Sequence, residues 1–231
     1  MQISDSPPQL AARQVVSRGL RRGLRPRTRL VEGWAKLHKA RFGVRPLHNL
    51  LIDLWFGGWC GGRFENPFTA EGAFPIQSVD YAALSTLHQR NRITIRSDDV
   101  LVDVGCGRGR VLNWWLSRGF PNRLIGLELV PEVAVSTARR LRRHANVSIR
   151  TGEATAHLPP EGTFFFLYSP FDRQVMTRFR DQVWSEVRRL DDLRILYFNS
   201  RFLDVFRDDP RWHIRTLETG EPEPAALILP A

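Results

Sequence analysis

Three glycines and an acidic residue between positions 99 and 110 have the types and spacing that suit nucleotide binding. The apolar run Val100–Val104 is typical of a buried parallel strand, and it leads directly into the sequence GCGRG at 105–109. Glycines at alternate positions let the backbone turn tightly and approach a ligand closely. The apolar-periodic segment that follows is predicted to be a helix whose free N–H groups face that ligand. We therefore expect a nucleotide-cofactor loop that begins at Asp103.

Polar residues also follow the next three predicted strands. Glu128 and Glu153 lie at the ends of the second and third strands, and Ser169-Pro170-Phe171 ends the fourth. In an open parallel sheet the ligand binds outside the carboxyl ends of the strands, so these residues are expected at one site. Glu128 lies roughly 20 residues after the glycine loop, and a carboxylate there can accept hydrogen bonds from both hydroxyls of a ribose.

Strands and helices are predicted to alternate after residue 96. The predicted strands are Val100–Val104, Arg123–Leu129, Val147–Arg150, Thr163–Tyr168, Arg194–Phe198, Trp212–Glu218 and Ala225–Leu229. The predicted helices are Asp80–Gln89 with Ser78 as its cap, Arg110–Arg118, Pro131–His144, Arg173–Leu190 and a short one near Arg201–Arg207. This order predicts an α/β fold with a doubly wound, seven-stranded, mostly parallel sheet. The last two strands, which no helix separates, are expected to form a C-terminal antiparallel hairpin at one edge.

The spacing of the glycines distinguishes two kinds of cofactor loop. A dinucleotide-binding fold prefers G-x-G-x-x-G, whereas this chain has G-x-G-x-G followed by Arg110. The stretch from Asp103 to Gly109 resembles the first motif of the class I S-adenosylmethionine-dependent methyltransferases, and the whole resembles a little-characterised bacterial branch of that superfamily. The resemblance covers about residues 96–231. It implies a Rossmann-like fold, S-adenosylmethionine as cofactor, and methyl transfer to an acceptor by in-line displacement.

The resemblance also implies roles for individual residues. In that family the acid at the end of the second strand holds the ribose, which corresponds to Glu128, and the acid after the third strand faces the adenine amine, which corresponds to Glu153. The glycine turn and Asp103 would lie near the methionine portion. The residues implied to bind the cofactor are Asp103, Gly105, Cys106, Gly107, Gly109, Glu128, Leu129, Glu153, Ala154 and Ser169.

The end of the fourth strand is where the resemblance implies an acceptor. Many amine-methylating members have Asn, Asp or Ser followed by two prolines and an aromatic residue, but Ser169-Pro170-Phe171 lacks one proline. Tyr168, Ser169 and Asp172 are the candidate catalytic residues that orient or deprotonate the acceptor, although Asp172 could equally cap the next helix. The substrate pocket is expected to include Trp59, Tyr81, Pro170 and Phe171. A protein or peptide amine or a small molecule is the favoured acceptor, and a nucleic acid stays open.

The positive charge of the chain is concentrated near its N-terminus. Residues 13–45 contain eleven lysines and arginines and one acid, Glu32, whereas residues 46–231 carry 23 basic and 22 acidic residues. We expect a basic, helical N-terminal extension (1–45), a substrate-side cap (46–95) that could act as a lid, and a cofactor-binding methyltransferase domain (96–231). The extension could bind nucleic acid or an anionic membrane, or pack on the domain with a solvated basic face. The alternative to an enzyme is a noncatalytic cofactor-binding protein that uses this extension.

Several classes of protein are not favoured by the composition. Two cysteines give no disulfide framework, and six histidines without paired spacing give no reason to expect a bound metal. No apolar run approaches the roughly 20 residues that a membrane-spanning helix needs. We expect a cytoplasmic protein, with peripheral membrane association as an option for the extension.

Overall fold

The computed structural model describes residues 44–231, apart from the side chain of Arg63. The helices in this range are α1 (44–55), α2 (Tyr81–Asn91), α3 (Arg110–Ser117), α4 (Pro131–Leu141), α5 (Arg173–Glu186) and α6 (Asp204–Arg207). The strands are β1 (Arg63–Phe64), β2 (Ile76–Gln77), β3 (Val100–Val104), β4 (Arg123–Glu128), β5 (Val147–Thr151), β6 (Phe164–Tyr168), β7 (Arg194–Phe198), β8 (Trp212–Leu217) and β9 (Ala225–Pro230). Short 3-10 helices cover Thr69–Glu71 and Leu190–Asp192. The helices expected in the basic extension (1–45) lie outside the described residues as far as position 43.

The main sheet has seven strands in the order β5-β4-β3-β6-β7-β9-β8. The five strands from β5 to β7 are parallel, while β9 runs antiparallel to both β7 and β8. The predicted Rossmann-like sheet with its C-terminal antiparallel hairpin is therefore confirmed. The strand order reverses between β3 and β6, which places the expected ligand site at their carboxyl ends.

Three details of the predicted elements are corrected. Asp80, not Ser78, is the N-cap residue of α2, because the Ser78 hydroxyl donates to the carbonyl of Cys60. Helix α5 ends at Glu186, because Val187 adopts an extended backbone (φ −70°, ψ 123°). The short hairpin of β1 and β2 was not predicted, since two-residue strands leave no periodic pattern.

The central strand β6 explains why the sheet has a layer of helices on each face. Phe164 and Phe166 pack with α2 and α3 on one face, whereas Phe165 and Leu167 pack with α5 and α6 on the other. A strand that is buried on both faces is expected to be apolar throughout, as this one is. Within residues 44–231, no helix combines the length and the apolar character that crossing a bilayer requires.

The amino ends of the central strands are joined by one buried carboxylate, Asp99, at the opposite end of the sheet from the expected site. Its Oδ1 accepts a hydrogen bond from the Thr163 hydroxyl (2.9 Å) and pairs with the Arg194 guanidinium. Its Oδ2 accepts from the backbone N–H of Arg96 (2.5 Å). Asp99 therefore connects the starts of β3, β6 and β7.

We predict that Asp99→Asn lowers the free energy of unfolding by about 1.5–3 kcal/mol, because hydrogen bonds to a charged group are lost in a buried position. Urea denaturation measures the change. The matched control is Asp98→Asn, which removes an exposed ion pair with Arg189 and should change stability much less. Equal destabilisation by the two variants would contradict the role given to Asp99.

Candidate functional site

A cavity of about 480 Å³ lies at the carboxyl ends of the parallel strands. Three groups of residues form its wall: strand ends, part of α5, and the segment 66–76. The sequence-predicted site residues that line it are Gly105, Glu128, Leu129, Glu153, Ala154, Pro170, Phe171 and Asp172. The alternation of strands and helices thus brings together residues from four strand ends, as the sequence predicted.

The glycine loop passes close to the end of the fourth parallel strand. Gly105 has φ of 72°, and a Cβ atom there would lie 2.9 Å from the Cβ of Pro170. The loop is also held from its other side, because the Gly107 carbonyl accepts from the Thr137 hydroxyl (3.0 Å) and the Arg108 carbonyl from Arg140 (2.7 Å). These two hydrogen bonds fix the position of the loop against α4. Gly109 is the N-cap residue of α3 and does not line the cavity.

Glu128 is buried at the end of β4, where its carboxylate accepts two backbone hydrogen bonds. Oε2 accepts from the N–H of Gly107 (2.7 Å), and Oε1 accepts from the N–H of Val130 (2.9 Å). Burial raises the pKa of this carboxyl, and the backbone hydrogen bonds partly oppose that effect. Because each carboxylate oxygen has about two acceptor positions, each can still accept one hydroxyl from the cavity.

Asp103 is a buried carboxylate whose Oδ2 has no hydrogen-bond partner in the part of the chain that is described. Burial, and secondarily the charge of Glu128, raise the pKa of Asp103 well above its usual range. Asp103 lines a space of about 20 Å³ together with Cys106, Gly107 and Tyr168, and this space shares Gly105 with the large cavity. A buried carboxylate oxygen without a partner is costly unless it is protonated or meets a cationic group.

The three candidate catalytic residues lie in different surroundings. Burial raises the pKa of Tyr168 to about 12, so its hydroxyl stays protonated at neutral pH and can donate but not act as a base. Ser169 is buried and is not among the residues that line the cavity. Asp172 lines the cavity, but its Oδ1 accepts from the N–H of Val175 (2.9 Å) and caps α5. The capping role considered for Asp172 is therefore present.

The segment 66–76, which lies within the substrate-side cap expected at 46–95, closes the cavity from the N-terminal side. It is bonded to the end of β6, since the Phe74 N–H donates to the Pro170 carbonyl (3.0 Å) and the Asp172 N–H to the Gly72 carbonyl (2.8 Å). Asn66 shapes the turn by accepting from the N–H of Phe68 (3.0 Å). The Asn-Pro pair at 66–67 is a turn signal that could have drawn attention to this segment.

Trp59 and Tyr81, expected to line the substrate pocket, are not part of the cavity wall. Tyr81 is corrected to a core residue: its side chain is buried, its hydroxyl donates to Asp53 (2.7 Å), and it accepts from Asn113 (3.0 Å). Trp59 is about half exposed and lines two shallower grooves beside the cavity.

A buried ion pair beneath the glycine loop was also missed. Arg110, the first residue of α3, pairs with Asp53 of α1 through Nη2 and Oδ2 at 2.6 Å. The same Oδ2 accepts from the N–H of Cys60 (3.1 Å). The two partners are far apart in sequence, and neither belongs to a local motif. Nowhere in residues 44–231 do three His, Cys, Asp or Glu side chains form a group that could hold a metal ion.

Comparison with known proteins gives one family match. Residues 101–190 match the family described as "Methyltransferase domain". No curated protein matches this chain in sequence.

Several solved structures have a similar fold. An RNA methyltransferase from Salinibacter ruber in complex with S-adenosyl-L-homocysteine is 17% identical, with a TM-score of 0.51 over 67% of this chain and 93% of that chain. Mitomycin 7-O-methyltransferase is 18% identical, with a TM-score of 0.52 over 65% of this chain and 54% of that chain. Human N-acetylserotonin methyltransferase in complex with SAM is 10% identical, with a TM-score of 0.52 over 64% and 51%. The chain thus spans about half the length of the last two, and at these identities the likeness is one of fold.

The matched family region contains the glycine loop, both acidic strand ends, the end of β6 and the first turns of α5, and it supplies more than half of the residues that line the cavity. The strand order and the antiparallel C-terminal pair agree with the fold of the methyltransferases solved with this cofactor or its product. Residues 101–190 therefore form a methyltransferase domain, and the chain has the fold of the class I S-adenosylmethionine-dependent methyltransferases.

Proposed function

We propose that the enzyme methylates an amine nitrogen on a compact acceptor with an apolar body, which enters the cavity under the segment 66–76. When bound, S-adenosylmethionine supplies a methyl group on a positively charged sulfur. The observation that carries the proposal is the combination of apolar walls and excess negative charge in the cavity. A protein side chain with an amine end and a small-molecule amine are the two forms that the acceptor can take.

The residues of the site fit the cofactor in two places. Glu128 has one free acceptor position on each oxygen, which suits the two hydroxyls of a ribose. Asp103 has an unpartnered buried oxygen, which suits the ammonium of the methionine portion. We assign the adenine to the side of Leu129, Glu153 and Ala154. Glu153 already pairs with Arg178 (3.1 Å), so it would share its carboxylate with the adenine amine.

The charge of the cavity favours a cationic acceptor. Its lining includes four carboxylates and one guanidinium, which are Glu71, Glu128, Glu153, Asp172 and Arg178. Clefts lined by one sign of charge concentrate ligands of the opposite sign. Phe68, Phe74 and Phe171 add aromatic surface, which also attracts cations. An amine arrives largely as an ammonium ion, so both features would concentrate it.

The size of the cavity favours a slim acceptor. A volume of about 480 Å³ lies within the range of roughly 300–1,000 Å³ that is typical for a single ligand. Since the cofactor occupies much of this space, only a narrow group can enter beside it. A bulky polymer could offer a side chain but not its backbone.

The residues near the reacting position favour nitrogen over oxygen as the methylated atom. Tyr168 is a protonated phenol at neutral pH, and Asp172 is engaged in capping α5. A hydroxyl acceptor needs a base to remove its proton, whereas a neutral amine attacks with its own lone pair. The ammonium form of the acceptor would lose one proton to solvent water as it enters the cavity, and the chain would then contribute alignment of the neutral amine and exclusion of further water.

Two further roles remain proposals. Residues 13–45 are proposed to contact nucleic acid or an anionic membrane, and most of them lie outside the described residues. The lid function of the segment 46–95 and the cytoplasmic location are likewise hypotheses. The noncatalytic alternative is not favoured, because the family match is to a methyltransferase domain.

We predict that purified enzyme with methyl-labelled S-adenosylmethionine labels apolar primary amines but not alcohols or carboxylic acids with the same carbon skeleton. Glu71→Gln should raise KM for the amine roughly two- to fivefold, because one exposed charge contributes at most about 1 kcal/mol, and should leave cofactor affinity unchanged. The rate of label transfer gives the acceptor selectivity and the KM for the amine, and mass spectrometry identifies the methylated product. Alcohols methylated as fast as the amines would contradict the proposal.

We predict that Glu128→Gln weakens S-adenosylhomocysteine binding roughly 10- to 100-fold, because about 1.5–3 kcal/mol of charged hydrogen bonding is lost. The new amide NH2 also faces backbone N–H groups that need an acceptor. Isothermal titration calorimetry gives the affinity. Glu132→Gln, an exposed residue in the first turn of α4, is the matched control. Unchanged affinity in Glu128→Gln would refute the assignment of the ribose.

We predict that S-adenosylhomocysteine affinity falls at acid pH because of Asp103. Burial and Glu128 raise the pKa of Asp103 in the free protein, so it becomes protonated as the pH falls through that raised value. The ligand ammonium binds the ionised form, so affinity should decrease by up to about tenfold per pH unit below this pKa. Calorimetric titration at a series of pH values from neutral downward, in wild type and Asp103→Asn, tests this. The same pH slope in both proteins would show that Asp103 is not responsible.

A further inference from the structure

Helix α1 turns polar residues into the protein and apolar residues outward. The side chains of Asn49 and Asp53 are buried, 5% and 0% exposed. The exposed fractions on the outer face are 65% for Val44, 57% for Leu47, 59% for Leu51, 56% for Leu54 and 78% for Trp55. Their spacing of three to four residues places them on one side of the helix. These five residues, which we name the α1 apolar face, are the reverse of what a surface helix shows to water.

The inner contacts of α1 explain why the helix cannot turn this face inward. Asn49 donates to Asp80 (2.6 Å) and accepts from the N–H of Tyr81 (3.2 Å). Asp53 is held by Arg110 and Tyr81 as described above. Because a buried charge or amide that loses its partners is costly, these contacts fix the rotation of the helix about its axis. The α1 apolar face therefore lies outward because the inner contacts of Asn49 and Asp53 fix the rotation of the helix.

A basic groove borders the α1 apolar face. It is lined by Arg108, Arg139, Arg140 and Arg143 with a single acid, Glu132. Arg143 donates to the carbonyl of Trp55 (2.8 Å), which joins the groove to the end of α1. Arg142, the exposed C-cap residue of α4, lies next to the groove residue Arg143 in the chain. Among the described residues, no carboxylate forms an ion pair with Arg139, Arg142 or Arg143, so their charges are open to an external anion.

We propose that the α1 apolar face and the arginines of this groove bind the surface of an anionic lipid bilayer. Leucine, valine and tryptophan side chains on one helix face enter the boundary between headgroups and acyl chains, while nearby arginines contact lipid phosphates. In the sequence, the ten basic residues between positions 13 and 41 come shortly before α1 and carry charge of the same sign. This surface would hold the enzyme at a membrane through residues 44–231, in which no helix could cross a bilayer.

Charge and side-chain type favour this occupant over others. A second copy of the chain would bring two arginine clusters together, and the basic residues 13–45 carry the same charge as the groove. A nucleic acid would match the arginines and could stack on Trp55, but the other four residues of the α1 apolar face are aliphatic and offer it neither stacking nor charge. An anionic lipid surface satisfies both the aliphatic and the basic parts.

The test is sedimentation of the full-length protein with vesicles of phosphatidylcholine alone or with one quarter phosphatidylglycerol. We expect binding to the anionic vesicles only. Leu51→Ser/Trp55→Ser should weaken it at least tenfold, and Arg139→Gln/Arg142→Gln should weaken it severalfold. The matched control for charge is Arg90→Gln/Arg207→Gln, two exposed arginines elsewhere, which should bind as wild type.

Measurements of stability and cofactor binding test the membrane proposal independently of the proposed amine acceptor. Because Leu51 and Trp55 are exposed, the double serine variant should keep the unfolding midpoint and the S-adenosylhomocysteine affinity of the wild type. A variant that unfolds much more readily would show that another part of the chain covers the face, and would overturn the proposal. Three other results would also overturn the proposal. One is a wild-type dimer that the double serine variant dissociates, and another is equal vesicle binding by the wild type and this variant. The third is wild-type binding to a single-stranded oligonucleotide but not to vesicles.

Discussion

The buried ion pair between Asp53 and Arg110 is the interaction on which the site depends. Burying two charges is unfavourable unless their remaining hydrogen-bonding capacity is also satisfied. Asp53 meets this condition because its oxygens accept from Arg110, the Tyr81 hydroxyl and the N–H of Cys60. Arg110 is the first residue after the glycine loop, so the pair fixes the point where the loop enters α3. A segment that lies before the matched domain thereby sets the geometry of the cofactor loop.

Helix α4 holds the same loop from the other side. Arg140 donates to the carbonyls of Phe56 (2.8 Å) and Arg108 (2.7 Å), and Thr137 donates to the carbonyl of Gly107 (3.0 Å). These bonds leave the N–H of Gly107 directed at Glu128. A site whose donors and acceptors are already oriented loses less conformational freedom when a ligand binds. The glycines permit the turn, and side chains from distant segments determine which turn forms.

The sequence was sufficient to predict the features of the fold that depend on local residue patterns. Strands β3 and β7 have the predicted bounds because each is a short, mostly apolar run, and the parallel sheet followed from the alternation of strands and helices. The sequence could not locate contacts between distant segments, such as Asp53 with Arg110 or Phe74 with Pro170. Tyr81 shows the difficulty: an aromatic residue near the expected site has the same local signal whether it lines a pocket or fills the core. Only the position of Asp53 decides between the two.

The reversed orientation of α1 follows from the same ion pair. Since Asp53 must lie inward to meet Arg110, the residues on the opposite side of the helix lie outward whatever their polarity. An apolar outer face exposed to water is unfavourable, and a sequence that kept Asp53 inside could have placed lysines or glutamates there at no cost to the ion pair. Leucines and a tryptophan occupy those positions instead, beside arginines that bond to the end of the same helix. One helix therefore meets two demands, a polar contact that shapes the cofactor loop and an apolar surface that needs an external partner.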